Sequence, residues 1–365
     1  MHRAIRYGIT LGALLLGAGC ENQAEAPTES SFIPRPKYVS VEQASPMLTT
    51  RVAGYALDPE AFFLSIASCQ APACPLPPFL LDNNPLFLRS VVRGAPITVA
   101  DPLSSPAQVA PLASTDPLGI WTLRAVPSRK EPYFPIAPQR QGALPSPTED
   151  LFPGLPPIPP TNYQRTVTLR PVKTVNADCF AIEAAVIGDS GITQAIAKFL
   201  TTKSGTPVTV ADLLDPTKYG GVVIVWNYFP GFPYGRIPGD GTTVEASAGQ
   251  VLSIEWAPPG VLPPPVAEAL QSMRGFFVNE AAPVSSLGIS AVLLPPTVSL
   301  TQEVTYTPRD PGKDAPTNAA LRRPWVHRPL KAVPMPGYIT FMPAQFEHAD
   351  GPITPYTPLT NCISK

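Results

Sequence analysis

The chain has 365 residues, a formal net charge of −1 and only 15% charged residues, so it carries no basic field of the kind that attracts nucleic acid and no acidic tail. Apolar residues make up 44%, enough for sizeable cores over two or three domains. Proline accounts for 51 residues, against a usual share of about 5%, which argues against long helices and continuous parallel sheets and for short strands joined by extended loops.

The N-terminus combines a basic leader (His2, Arg3, Arg6), a short apolar run from Ile9 to Leu16, and Gly17-Ala18-Gly19-Cys20. Small residues after a short apolar stretch mark a secretory cleavage site, and the run is too short to cross a bilayer as a helix. The cysteine at its end makes the segment resemble a bacterial lipoprotein signal, although Gly17 stands where leucine is usual. The resemblance implies a signal over residues 1–19 and lipidation of Cys20. Glu21, in place of the aspartate that retains such proteins at the inner membrane, implies the outer membrane, with the protein attached to it through the N-terminal lipid. Residues 20–38 are polar and proline-containing, and read as a tether.

Removing Cys20 leaves Cys69, Cys74, Cys179 and Cys362 in a chain bound for an oxidising compartment. Four cysteines allow three pairings. The close pair Cys69 and Cys74 is expected to close a small loop, leaving Cys179 and Cys362 to tie the C-terminal tail back. A zinc site is the rival, disfavoured because only one spacing comes near the usual ligand separation. No cofactor is expected.

Along residues 39–138, strands are expected at "TTRVAGYAL" (Thr49 to Leu57), at "PITVA" and at Ile120 to Val126, the last following a turn built on Asp116, Pro117 and Gly119. Val52, Gly54, Gly94, Thr98, Val99, Thr115, Asp116, Gly119 and Trp121 fall in an order that resembles carboxypeptidase regulatory-like, or prealbumin-like, β-sandwiches. Residues 139–162 form a proline-rich linker expected to favour extended polyproline II. "RGAPITVADPL" (Arg93 to Leu103) returns 111 residues later as "SGTPVTVADLL" (Ser204 to Leu214), and the repeat predicts a second, related sandwich over residues 163–259, each copy starting at a glycine turn and continuing as a strand. "TQAIAKFLTT" reads as a short helix, and "GGVVIVWNYF" and "GQVLSIEW" as strands. Residues 260–365, with strands at "TVSLTQEVTYTP" and "PGYITFMP", either complete the second sandwich or form a small third domain. The expected fold is therefore mainly β: two Ig-like or prealbumin-like sandwiches, with short helices only.

Chemistry is sparse. Gly188-Asp189-Ser190-Gly191 resembles the nucleophile segment of chymotrypsin-like proteases, but a serine nucleophile needs a base, and the three histidines are His2, His327 and His348. The only one upstream lies in the leader. The stretch therefore reads as a polar turn before a helix capped by Ser190 or Asp189. Glu347, His348 and Asp350 sit close in sequence, but neighbours on an extended segment point to opposite faces, so they read as a solvated loop. The one concentration of contact-forming residues is "WNYFPGFPYG". Either its rings fill the core, or Trp226, Tyr228, Phe229, Phe232 and Tyr234 form an outward platform for an envelope protein or a polysaccharide. The expected role is a non-enzymatic one in the cell envelope, namely structure, adhesion or assembly. The alternatives are a glycan-binding module and an anchored hydrolase.

Overall fold

A computed structural model describes residues 49–67, 89–100, 111–129, 131–138, 158–170, 172, 174, 179–229, 237–257, 274–298, 302–310 and 325–348. Cys20, expected to be lipidated, the expected tether, Cys69, Cys74 and Cys362 lie outside these residues, as do residues 139–157 of the expected linker, Phe232 and Tyr234. Of the cysteines, only Cys179 falls within them, as the first backbone position of a strand.

The chain is mainly β. The first half contains β1 (Thr49–Leu57), α1 (Pro59–Ala67), β2 (Pro96–Ala100), β3 (Ala113–Ser114), β4 (Ile120–Pro127), β5 (Phe134–Ala137), β6 (Thr166–Thr168) and β7 (Cys179–Ala185). Two helices follow, α2 (Ile192–Ser204) and α3 (Val210–Leu213). The remainder is β8 (Gly221–Phe229), β9 (Ile237–Pro238), β10 (Thr243–Ala246), β11 (Gln250–Trp256), β12 (Phe276–Val278), β13 (Ile289–Leu294), β14 (Val304–Arg309), β15 (Trp325–Val326), β16 (Leu330–Ala332), β17 (Ile339–Gln345) and β18 (Glu347–His348). The longest helix among the described residues has 13 residues, in keeping with the proline content.

The framework is one ten-stranded sheet in the order β12-β11-β13-β8-β17-β6-β5-β2-β3, with β9 added beside β8. Inside it lies β8, whose nine residues are all buried. A strand covered on both faces needs an unbroken apolar run rather than alternation. "GVVIVW" supplies that run. β8 pairs antiparallel with β13 and parallel with β17, and β17 pairs parallel with β6, so the sheet is mixed.

Three cores lie against this sheet. On one face of the β8 half, Val222, Ile224 and Trp226 meet Ile192, Ala195 and Ile196 of α2, Leu213 of α3 and Phe63 of α1. On the opposite face, Val223, Val225 and Val292 meet Val244, Val304 and Tyr306 from a second sheet ordered β10-β14-β16. At the far end, Ile97 and Val99 of β2 face Val52, Trp121 and Leu123 from a third sheet, ordered β4-β1-β7.

The strand order does not follow the domain boundaries expected from the sequence. β2 and β5 from the first segment, β6, β8 and β11 from the second, and β13 and β17 from the third all join one sheet. β1 pairs parallel with β7, with Tyr55 opposite Glu183 and Leu57 opposite Ala185. The first predicted turn forms as expected. Asp116 Oδ1 accepts from the amides of Leu118 and Ile120, and Gly119 takes a φ of 73°.

The two copies of the repeated sequence do not both form the expected strand. The first copy is the strand β2, with Thr98 opposite Ile136. The second copy is not a strand. Thr209 caps α3: its hydroxyl accepts from the Asp212 amide and the Asp212 carboxylate accepts from the Thr209 amide. Thr-x-x-Asp is a capping box in either copy. The next residue decides the outcome. In the first copy it is Pro102, which disfavours helical backbone at Asp101. In the second it is Leu213, which continues the turn and buries its side chain. Only the leading glycine turn survives in both copies, with φ of 59° at Gly94 and 68° at Gly205.

Candidate functional site

Three rings of the "WNYFPGFPYG" stretch belong to the interior. Trp226, Tyr228 and Phe229 are 2%, 6% and 2% exposed, so none of the three serves an outward platform. Trp226 stacks on Tyr228 at 5.9 Å and meets Phe63 and Phe341. Phe229 points to the other face, against Trp325 and Phe346. The cause is that both faces of β8 are covered, one by the helices and the other by the second sheet and by Trp325 and Phe346, so neither parity of its side chains has solvent to face.

The Gly188–Gly191 turn is held by residues 160–162. Asp189 accepts from the Asn162 backbone and side-chain amides, and from the Thr161 hydroxyl. Ser190 Oγ donates to the Pro160 carbonyl at 2.9 Å, so its proton is directed to backbone rather than to a base. Neither Ser190 nor Asp189 caps α2, contrary to expectation. The N-cap is Gly191, which offers no side chain. The cap comes instead from a distant part of the chain: Glu60 Oε1 accepts from the Ile192 amide at 2.9 Å. A carboxylate at a helix N-terminus is favoured by the exposed amides and the helix dipole. Glycine at position 191 makes room for it, because a Cβ there would lie 1.7 Å from Glu60 Oε2.

Glu60 belongs to a buried charge cluster, the strongest concentration of ionisable chemistry among the described residues. Asp58 precedes α1 and caps it, accepting from the Ala61 amide through Oδ1 at 2.9 Å. Its other oxygen accepts from Arg274 Nη1 at 2.8 Å and from the Tyr163 hydroxyl at 3.0 Å. Arg274 Nη1 also donates to Glu60 Oε2 at 3.1 Å, and its Nε and Nη2 donate to the Pro159 carbonyl. The side chains of Arg274, Asp58 and Glu60 are 2%, 1% and 0% exposed.

Two carboxylates facing one guanidinium leave the cluster one negative charge in excess when both are ionised. Burial pushes the Glu60 carboxyl up to about 7; Arg274 opposes the shift and Asp58 adds to it. Burial and the Asp58 charge hold the Tyr163 phenol protonated well past its ordinary range. Burial works against the Arg274 charge, but Asp58 and Glu60 outweigh it and keep the guanidinium ionised. Arg274 has a φ of 54°, the only non-glycine residue in the left-handed region among the described residues. Such a conformation costs of order 1–3 kcal/mol and persists only where the surroundings over-determine it. Here five hydrogen bonds do so: the four that its guanidinium donates and the one its carbonyl accepts from Trp256 Nε1.

Strain together with perturbed acids is the signature of a functional site, and also of a structural ion network. The closure of this cluster favours the structural reading. It locks together the start of α1, residues 159–163, the start of α2 and the turn at 274–275. None of its members was singled out from the sequence. The available signal was Asp58-Pro59-Glu60 before an apolar run, an N-cap followed by proline at the first helical position. The partnership with Arg274, more than 200 positions away in the chain, has no local signature.

No family model, no curated protein and no solved structure matches the chain.

Proposed function

We propose that the protein is a lipoprotein anchored to the outer membrane through Cys20, with a non-enzymatic structural, adhesion or assembly role in the cell envelope. The observation that carries this reading is the leader, in which a basic start, a short apolar run and Gly-Ala-Gly-Cys20 follow one another. The folded body supports it through the placement of its reactive groups. The paired carboxylates Asp58 and Glu60 are sealed and bound to Arg274, and Ser190 spends its proton on a backbone carbonyl. Such a body suits a rigid module whose contacts are made at its surface. A lipid-modified N-terminus with several acyl chains would hold it stably at a membrane, and disulfides among Cys69, Cys74, Cys179 and Cys362 would suit an oxidising compartment.

The test is cross-linking in intact cells followed by mass spectrometry, comparing the wild type with Cys20→Ala. Specific envelope proteins cross-linked to the wild type and lost with Cys20→Ala are the expected result. Identical cross-links from both forms would remove the anchor from the account.

A further inference from the structure

We propose that Asn227, Ser290 and Ser253 line an internal hydration site, occupied by ordered water, on the face of the large sheet that packs against β10-β14-β16. Asn227 is 0% exposed, Ser290 0% and Ser253 7%. The Oδ1 of Asn227 and the Oγ atoms of both serines are buried without a hydrogen-bond partner among the described residues. The three share one face of adjacent strands. Ser253 of β11 lies directly opposite Ser290 of β13, and Ser290 lies opposite Val225, two residues before Asn227 on β8.

The amide orientation is fixed by its surroundings. Asn227 Nδ2 donates to the Thr242 hydroxyl and to the Thr243 carbonyl, both at 3.0 Å. A flipped amide would set one carbonyl oxygen against another, so Oδ1 is the atom left over. The spacing then selects the ligand. Diagonal neighbours on paired strands stand about 7–8 Å apart at Cα, too far for a direct bond between short side chains and suited to one bridging water. Directly opposed residues have Cβ atoms about 4.5–5.5 Å apart, so both serine hydroxyls reach the same molecule. Every lining group is neutral, which matches water rather than an ion; a water with two to four polar partners is a normal part of a protein interior. Beside the site the backbone is tight: Gly239, just after β9, donates to the Asn227 carbonyl, and a Cβ on Gly288 would lie 2.8 Å from the backbone of both residues.

The sign of a mutational effect tests this. In a dry site an unpartnered buried hydroxyl is a penalty, and deleting it stabilises the fold. In a hydrated site the hydroxyl anchors water, and deleting it costs stability. For the full-length protein we expect a high-resolution crystal map to show ordered water touching Ser290 Oγ and Asn227 Oδ1. We also expect Ser290→Ala and Ser253→Ala each to lower the melting temperature by roughly 2–4 °C. A dry map, or a melting temperature that holds or rises in both variants, overturns the proposal.

Discussion

At the scale of single residues, the buried cluster makes two separable predictions. The first concerns Arg274. Replacing it by Met leaves Asp58 and Glu60 buried without their cation and abandons the hydrogen bonds to Pro159. Removing one partner of a buried pair costs about 3–5 kcal/mol, so Arg274→Met lowers the unfolding free energy by that amount in chemical denaturation. The second concerns pH. Glu60 is held up to about 7 in the fold against an ordinary 4.5, so between these values the native state binds more protons than the unfolded chain. Stability therefore falls as pH rises from about 4.5 to about 7 and is level above that on account of this group. The fall is bounded at ~3 kcal/mol by 1.36 kcal/mol per unit. Glu60→Gln, which cannot ionise, removes this slope whatever its absolute stability; denaturation midpoints across the range check it, and an unchanged slope in the variant assigns the titration elsewhere. Little of this was legible in the sequence. Asp58-Pro59-Glu60 is a visible helix start, but capping of α2 by Glu60 depends on Gly191 and Ile192, more than 100 positions away in the chain, and nothing local to either segment announces it.

At the scale of elements, the two copies of Gly-x-Pro-[Ile/Val]-Thr-Val-Ala-Asp show where local reading stops. One is a strand and the other a capped helix turn, and the deciding residue lies just outside the shared core. α3 rests on Thr209 and Leu213. Thr209→Ala removes the cap and is expected to cost about 1 kcal/mol. Leu213→Pro imposes on α3 the arrangement of the first copy and is expected to melt the turn, read as lost amide protection over residues 210–214. Strands that carry a full apolar run or a clean turn were legible: β1 spans the segment expected, and the Asp116 turn forms with Gly119 in the left-handed region. The aromatic stretch was not, because burial of Trp226 depends on the helices that cover its face of the sheet, among them α1 with Phe63, which lies far away in the chain. Its environment predicts that Trp226→Ala costs about 3–5 kcal/mol, as for a large ring removed from a packed core, with loss of its near-ultraviolet dichroism.

At the scale of the whole molecule, strand pairing crosses the boundaries that composition suggested. A proline-rich segment between two strand-rich stretches reads as a spacer, yet residue 159 from its end ligates Arg274, and strands from both sides share the large sheet. Composition reports where the backbone is extended and not which edges meet, since long-range pairing leaves no trace in local sequence. The residues that carry the functional account lie outside the described residues. The central claim is that the mature chain begins at a lipidated Cys20. Mass spectrometry of the N-terminal peptide, from cells fed an alkynyl fatty acid, tests it most directly. The account predicts acylated Cys20 as the first residue, with the label in the outer-membrane fraction and absent from Cys20→Ala. An unmodified Cys20, or a chain that still carries its leader, would contradict it.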